Sequence, residues 1–290
     1  MWIFLAILCA LLVGCMDLLS KLALRDEHEK IVGWARLVFS LPLLALFLWI
    51  DGVPSLSPKF WLVSLGMVPL ELTAFLLYLR AIRVSPLSLT IPFLALTPVF
   101  TIATSWLILR ERISPMGSLG IVLIVLGIYL LHVTTIQEGA LAPLRAVARE
   151  RGIRLMIGSA FLFSITSNLG KRAIQLSSPV SFAFLYQVMD TIALFGLAQA
   201  KAGGIQPLKR ALTRQLGLYL ALGMLAALAI LVHCFGIVQA PVPYFIAIKR
   251  TSLLIAVVSG GLVFKEEHMV ERLFGTVLMV AGVTLIAFRG

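Results

Sequence analysis

PYFIAIKRTSLLIAVVSGGLVFKEEHMVERLFGTVLMVAGVTLIAF, residues 243–288, holds two apolar runs of bilayer-crossing length, with Lys249 and Arg250 several residues inside the first. A span needs about 20 apolar residues at a rise of about 1.5 Å each. A cation near the bilayer centre costs about 2.5 to 3.5 kcal/mol on insertion scales, so intramembrane ionisable residues mark a pairing or a site. Snorkelling to a headgroup or pairing with an acid on another helix explains one such cation. Two adjacent ones point to the binding of an anion.

The rest of the chain repeats this pattern. Over 290 residues, 60% are hydrophobic and 13% charged, and mean hydropathy is +1.04. A soluble domain of this length does not sustain such values, so the chain reads as an all-α, multi-pass membrane protein. Ten segments qualify as spans: 2–20, 31–50, 60–79, 87–109, 115–134, 154–174, 180–199, 215–238, 242–264 and 270–288. Two longer connections, 135–152 and 201–214, place Arg145, Arg149 and Arg151, or Lys209, Arg210 and Arg214, beside leucines and a valine as interfacial amphipathic turns. The net charge of +11 lies in short loops and not along one stripe, which argues against a nucleic-acid partner.

The two halves repeat in residues as well as in hydropathy. A displacement of 155 positions lays Glu111 on Glu266, Gly120 on Gly275, Val122 on Val277, Val125 on Val280 and Gly127 on Gly282. Near the start of each half, Lys21 corresponds to Lys171. The expected division is a first five-helix repeat over 1–134, a connection over 135–152 and a second repeat over 153–290. An odd number of spans per half inverts the second half relative to the first, an architecture that puts a substrate site near the midplane.

The run AIRVSPLSLTIPFLALTPVFTIATSWLILRERISPMGSLGIVLIVLGIYLL, residues 81–131, resembles the EamA-type repeat of the drug/metabolite transporter superfamily. The features are the small-residue opening of the fourth helix, the step from Thr97 to Phe100, the acidic turn around Glu111 and the glycines at 120 and 127. The second copy is similar through Phe264-Lys265-Glu266 and Gly275 to Gly282. This resemblance implies a ten-helix carrier of small molecules. Lys249-Arg250, followed by Thr251-Ser252, is also similar to the dyad that grips phosphate in the sugar-phosphate translocator branch. The first copy has Leu94 and Ala95 there, so the dyad belongs to one half only.

Other polar residues inside the spans complete the candidate substrate site. Glu71 in the third span and Asp190 in the seventh are carboxylates that balance the dyad or couple transport to protons. Tyr186, Gln187 and Asp190 share one helix face, with Tyr244 and His233 as further candidates. Asp17 and Lys21 are four apart and positioned to pair, and their counterparts in the second half are Ser167 and Lys171, with Asn168 three residues before Lys171. Arg36 reads as a snorkelling cation. Pro92, Pro98, Pro241 and Pro243 remove backbone donors and bend the fourth and ninth spans.

Cys9, Cys15 and Cys234 all lie in apolar spans and offer neither a disulfide framework nor a metal site. Leu12-Val13-Gly14-Cys15 resembles a lipoprotein cleavage box, but without a basic segment before it the stretch reads as part of the first span. No HExxH, GxSxG or phosphate-cradling loop occurs, so no enzyme, metal or cofactor is expected and transport is driven by a gradient or by exchange. Fifteen Lys and Arg lie in loops on one side and six on the other, which puts both termini outside a cytoplasmic membrane. The expected partners are a small-molecule substrate and the lipid bilayer, with a homodimer left open. The expected substrate is a small organic anion bearing phosphate, phosphonate or carboxylate. An amino-acid or drug exporter, a flippase for a lipid-linked phosphate and a non-transporting scaffold or sensor stay open as alternatives.

Overall fold

In a chain this apolar, backbone amides have no water to bond inside a bilayer, and a helix satisfies them within the segment. The computed structural model describes residues 1–111, 117–130, 149–201, 215–266 and 269–288, and among these every regular element is helical. The long helices are α1 (Trp2–Asp26), α2 (Glu29–Asp51), α3 (Pro58–Val84), α4 (Leu87–Leu109), α6 (Arg151–Gln175), α7 (Pro179–Lys201), α8 (Leu216–Ile237) and α9 (Val242–Phe264). All eight contain a stretch long and apolar enough to cross a membrane. Two further helices, α5 (Gly117–Leu130) and α10 (Met269–Phe288), pack chiefly on each other. The two amphipathic connections expected from the sequence fall mostly on 131–148 and 202–214, outside the described residues.

Helix ends follow local chemistry. Ser57 caps α3 by accepting from the amide of Phe60 at 3.3 Å, and Pro58 opens the helix where its missing N–H costs nothing. Gly52 ends α2 at φ 79°, a conformation a glycine adopts without strain. Large apolar side chains such as Trp49, Leu62, Leu65, Ile192, Leu262 and Phe274 stay exposed on the outside of the bundle, as a lipid-facing surface requires.

Two helices are interrupted, and the interruptions correspond. Residues Ile91–Ala95 of α4 form a 3-10 segment that contains Pro92. In α9 the α-helical hydrogen bonding breaks at Arg250 and Thr251, between Val242–Lys249 and Ser252–Phe264. Pro86 and Pro241, 155 positions apart, precede the two helices with nearly equal backbone angles, φ −55° and ψ 139° against φ −54° and ψ 137°. Arg110 and Lys265, also 155 apart, end them in the left-handed region at φ 58° and 53°.

A glutamate just past the end of each interrupted helix caps the start of the other. Glu111, after α4, accepts from the amide of Val242 at 3.0 Å, from Lys171 Nζ at 2.9 Å and from Ser105 Oγ at 2.6 Å. Glu266, after α9, accepts from the amides of Leu87 at 2.7 Å and Ser88 at 2.9 Å and from the hydroxyl of Ser88. α4 and α9 are therefore antiparallel, with one cap at each end. A carboxylate on the free N–H groups of a helix start forms charge-assisted bonds and complements the helix dipole. Beside each cap a lysine ties down the preceding turn: Lys171 Nζ donates to the carbonyl of Ala240 at 2.7 Å, and Lys21 Nζ to those of Ser85 at 2.8 Å and Ile82.

The α5–α10 contact repeats the correspondence. A Cβ on Gly282 would lie 2.5 Å from the carbonyl oxygen of Gly120, and one on Gly127 would lie 2.6 Å from that of Gly275. Small residues here let the two backbones touch. Two outcomes check these joints by thermal unfolding in detergent. Glu111→Ala and Glu266→Ala each destabilise by about 1–3 kcal/mol, because the first leaves the amide of Val242 and the second those of Leu87 and Ser88 without their acceptor. Gly282→Leu lowers the midpoint sharply, while Gly66→Ala, where an added Cβ meets nothing within 4 Å, leaves it unchanged or raises it.

Candidate functional site

The middle of α9 is where the ordinary helical ladder fails and where Lys249 and Arg250 stand. Both line a cavity of about 200 Å³ between α1, α2, α3, α4, α6, α7, α8 and α9. Lys249 Nζ lies 3.3 Å from Nδ1 of His233 on α8. An ammonium has only donors, so that ring nitrogen accepts and His233 is neutral in this arrangement. Arg250 is 6% exposed and donates from Nη2 to Thr97 Oγ1 on α4 at 2.9 Å, while its Nε has no partner among the described residues. Neither cation takes part in any of the ion pairs formed among the described residues.

A second group of charges completes one wall. Asp17 on α1 accepts from the hydroxyl of Tyr78 on α3 and is the principal acid acting on Arg250. Arg36 on α2 stacks its guanidinium over the Phe75 ring at 4.9 Å from the centroid and also lines the cavity. Arg36 therefore faces the central cavity. Asp17 does not pair with Lys21, which is turned to the carbonyls at the start of α4.

A third group is acidic. Glu71 on α3 and Tyr186, Gln187 and Asp190 on α7 all face the same cavity. Gln187 donates from its amide to Ser40 Oγ at 2.8 Å. Asp190 Oδ1 and the Tyr186 hydroxyl have no hydrogen-bond partner among the described residues. Among the described residues no His, Cys, Asp and Glu cluster has the makings of a metal site.

Seven of the residues expected from the sequence thus meet in one cavity: Lys249, Arg250, Glu71, Asp190, Gln187, Tyr186 and His233. Four do not line it. Lys21 and Lys171 staple the turns before α4 and α9. Asn168 ties α6 to α4 by donating to Thr104 Oγ1 at 3.0 Å, and to its own helix at Ser164 O at 2.8 Å. Tyr244 stands at the start of α9 with Glu111 as its electrostatic neighbour. Sequence reading did not select Tyr78, Thr166 or Ser167 as lining residues. For Tyr78 a signal was available: Glu71, Phe75 and Tyr78 follow helical spacing on one face.

Tyr78→Phe leaves the Asp17 carboxylate buried without its donor and costs about 1–3 kcal/mol of stability. Combined with Asp17→Asn the loss is smaller than additive, with a coupling of about 0.5–3 kcal/mol in a thermal-unfolding double-mutant cycle.

A model of the EamA-like transporter family matches residues 1–133 and again 150–288. A search of curated proteins finds no match. Among solved structures, one titled "Crystal structure of protein" superimposes at a TM-score of 0.70 with 12% identity, over 99% of this chain and 97% of that one. At that identity the likeness concerns the fold alone.

Proposed function

The chain belongs to the EamA-like transporter family, whose members are membrane transporters of small molecules, and on that premise we propose that it carries a small organic anion. The observation that carries this reading is the placing of Lys249 and Arg250 in one central cavity with no ion pair to either among the described residues. Two desolvated cations need a counter-charge, and a phosphate, phosphonate or carboxylate supplies it. Arg250 offers a planar fork of donors and Lys249 a mobile point charge, a combination that suits an oxyanion. The cavity suits a small metabolite better than a lipid-linked one, since about 200 Å³ holds only a few heavy-atom groups.

The transport cycle we infer is alternating access by two inverted five-helix halves, 1–134 and 153–290, in a cytoplasmic membrane. Support comes from the pairs of residues 155 apart that play equal roles: the prolines before α4 and α9, the left-handed residues after them, and the exchanged glutamate caps. α5 and α10 complete the count of ten spans in this reading. With α4 and α9 antiparallel and capped at opposite ends, exchanging the conformations of the two halves moves the opening from one face to the other. A gradient or exchange of substrates drives the cycle.

The test is thermal stabilisation of the purified protein by organic phosphates, phosphonates and carboxylates. A ligand at about 100 times its Kd adds about 2.7 kcal/mol to the folded state. One of these anions raises the wild-type midpoint and fails to raise that of Arg250→Ala or Lys249→Ala. If no anion raises the wild-type midpoint, while both variants unfold at lower temperature, the two cations are structural and the anion-carrier reading is wrong.

A further inference from the structure

Arg36 is a third cation of the central cavity, and the reading of Lys249 and Arg250 makes no use of it. It stands on α2 in the first half of the chain and lines the cavity. Its guanidinium carbon lies over the Phe75 ring, 4.9 Å from the centroid. A ring face attracts the charge but has no hydrogen-bond acceptor in the guanidinium plane, so the contact holds the group without using its N–H donors. Nη1 of Arg36 is buried and has no hydrogen-bond partner among the described residues. Tyr78, Asp17 and Glu71 act on it electrostatically, yet neither acid forms an ion pair with it among the described residues.

Arg250 shows the same feature from the second half. Its Nη2 is given to Thr97 at 2.9 Å, and its Nε is buried without a partner among the described residues. Arg36 and Arg250 both act on one couple, Asp17 and Tyr78, which are already bonded to each other. Arg36 also acts on Lys249 as a like charge. Three cations thus converge on the cavity, and the two arginines each keep a buried donor idle. A buried donor without an acceptor is costly, and a guest that supplies the acceptor removes that cost. The arginine is not part of the frame shared by the halves. α7 is the second helix of the second half, as α2 is of the first, and it holds no arginine.

We propose that Arg36 is a substrate-binding residue, and that it forms a clamp with Arg250 in which one guanidinium from each half donates to the same oxyanion. This rests on the anion reading of the cavity and adds the residue by which the first half takes hold of the anion. Two planar forks on different helices meet oxygens on different sides of one anionic group, which a single fork does not. Phe75 acts through Arg36 as a positioning residue, since its ring sets where the fork lies.

The test is isothermal titration of the purified protein with inorganic phosphate, methylphosphonate and acetate, the tightest of the three on the wild type serving as the probe. Arg36→Met keeps an apolar stem, removes the donors and weakens the probe about tenfold or more, the scale of a lost charge-assisted contact. Arg250→Ala weakens it as well, whereas Arg172→Ala, at an exposed cation near the end of α6, leaves it unchanged. If Arg36→Met does not fold, Arg36→Lys gives the readout: it keeps the charge that Asp17 and Glu71 feel, loses the fork and binds the probe several-fold more weakly. Wild-type affinity in the Arg36 variant together with weak binding by Arg250→Ala overturns the clamp and leaves the anion reading standing. If Arg250→Ala keeps wild-type affinity, or if none of the three anions binds the wild type, both readings fall.

Discussion

A broken helix inside a bilayer releases backbone donors and acceptors that lipid cannot satisfy. Here two helices, α4 and α9, are interrupted, and their starting amides are met by carboxylates from the far end of each other. That exchange of caps is the constraint on which the rest depends. It holds the two interrupted helices antiparallel, the start of each beside the end of the other. Lys21 and Lys171 reinforce it by binding the carbonyls of the turns in front, and Arg272 adds a cation beside Glu266 at 3.5 Å. The helices between them, α1, α3, α6 and α8, pack around this pair and leave a cavity beside it.

The break in α9 differs from that in α4 in what it carries. Leu94 and Ala95 occupy the positions in α4 that Lys249 and Arg250 occupy in α9. The local geometry is shared by both halves, whereas the charge was placed in one. The acids follow the same rule, since Glu71 and Asp190 stand on α3 and α7, which do not correspond under the 155-residue displacement. A frame common to both halves thus surrounds a polar lining that differs between them.

Much of the fold was legible because apolar length is a strong signal: the eight long helices fall within a few residues of the spans read from hydropathy. The repeat was legible too, through Glu111 and Glu266 and the glycines. What those glutamates do was not. Each bonds a residue more than one hundred positions away, and a capping acid looks like any loop acid until its helix start is beside it. Lys21 and Lys171 misled for a related reason, since a cation at a helix end reads equally as a site or a staple. Arg36 is a single charge in an apolar helix, with no periodic partner to show that it faces inward. Tyr186, Gln187 and Asp190 had that periodicity, and they are the part of the cavity lining that spacing located. Pro92 foretold the break in α4, but no proline stands at Arg250 to foretell the one in α9.

The most direct measurement concerns access to the cavity from water on both faces. Ser167 lines it from α6 and tolerates exchange for cysteine in size. In a background with Cys9, Cys15 and Cys234 replaced by serine, Ser167→Cys would be exposed in sealed vesicles to a charged, membrane-impermeant thiol reagent added outside or trapped inside. Two halves that exchange conformations around one central site predict modification from either side. Modification from one side only, or from neither, would contradict alternating access to that cavity.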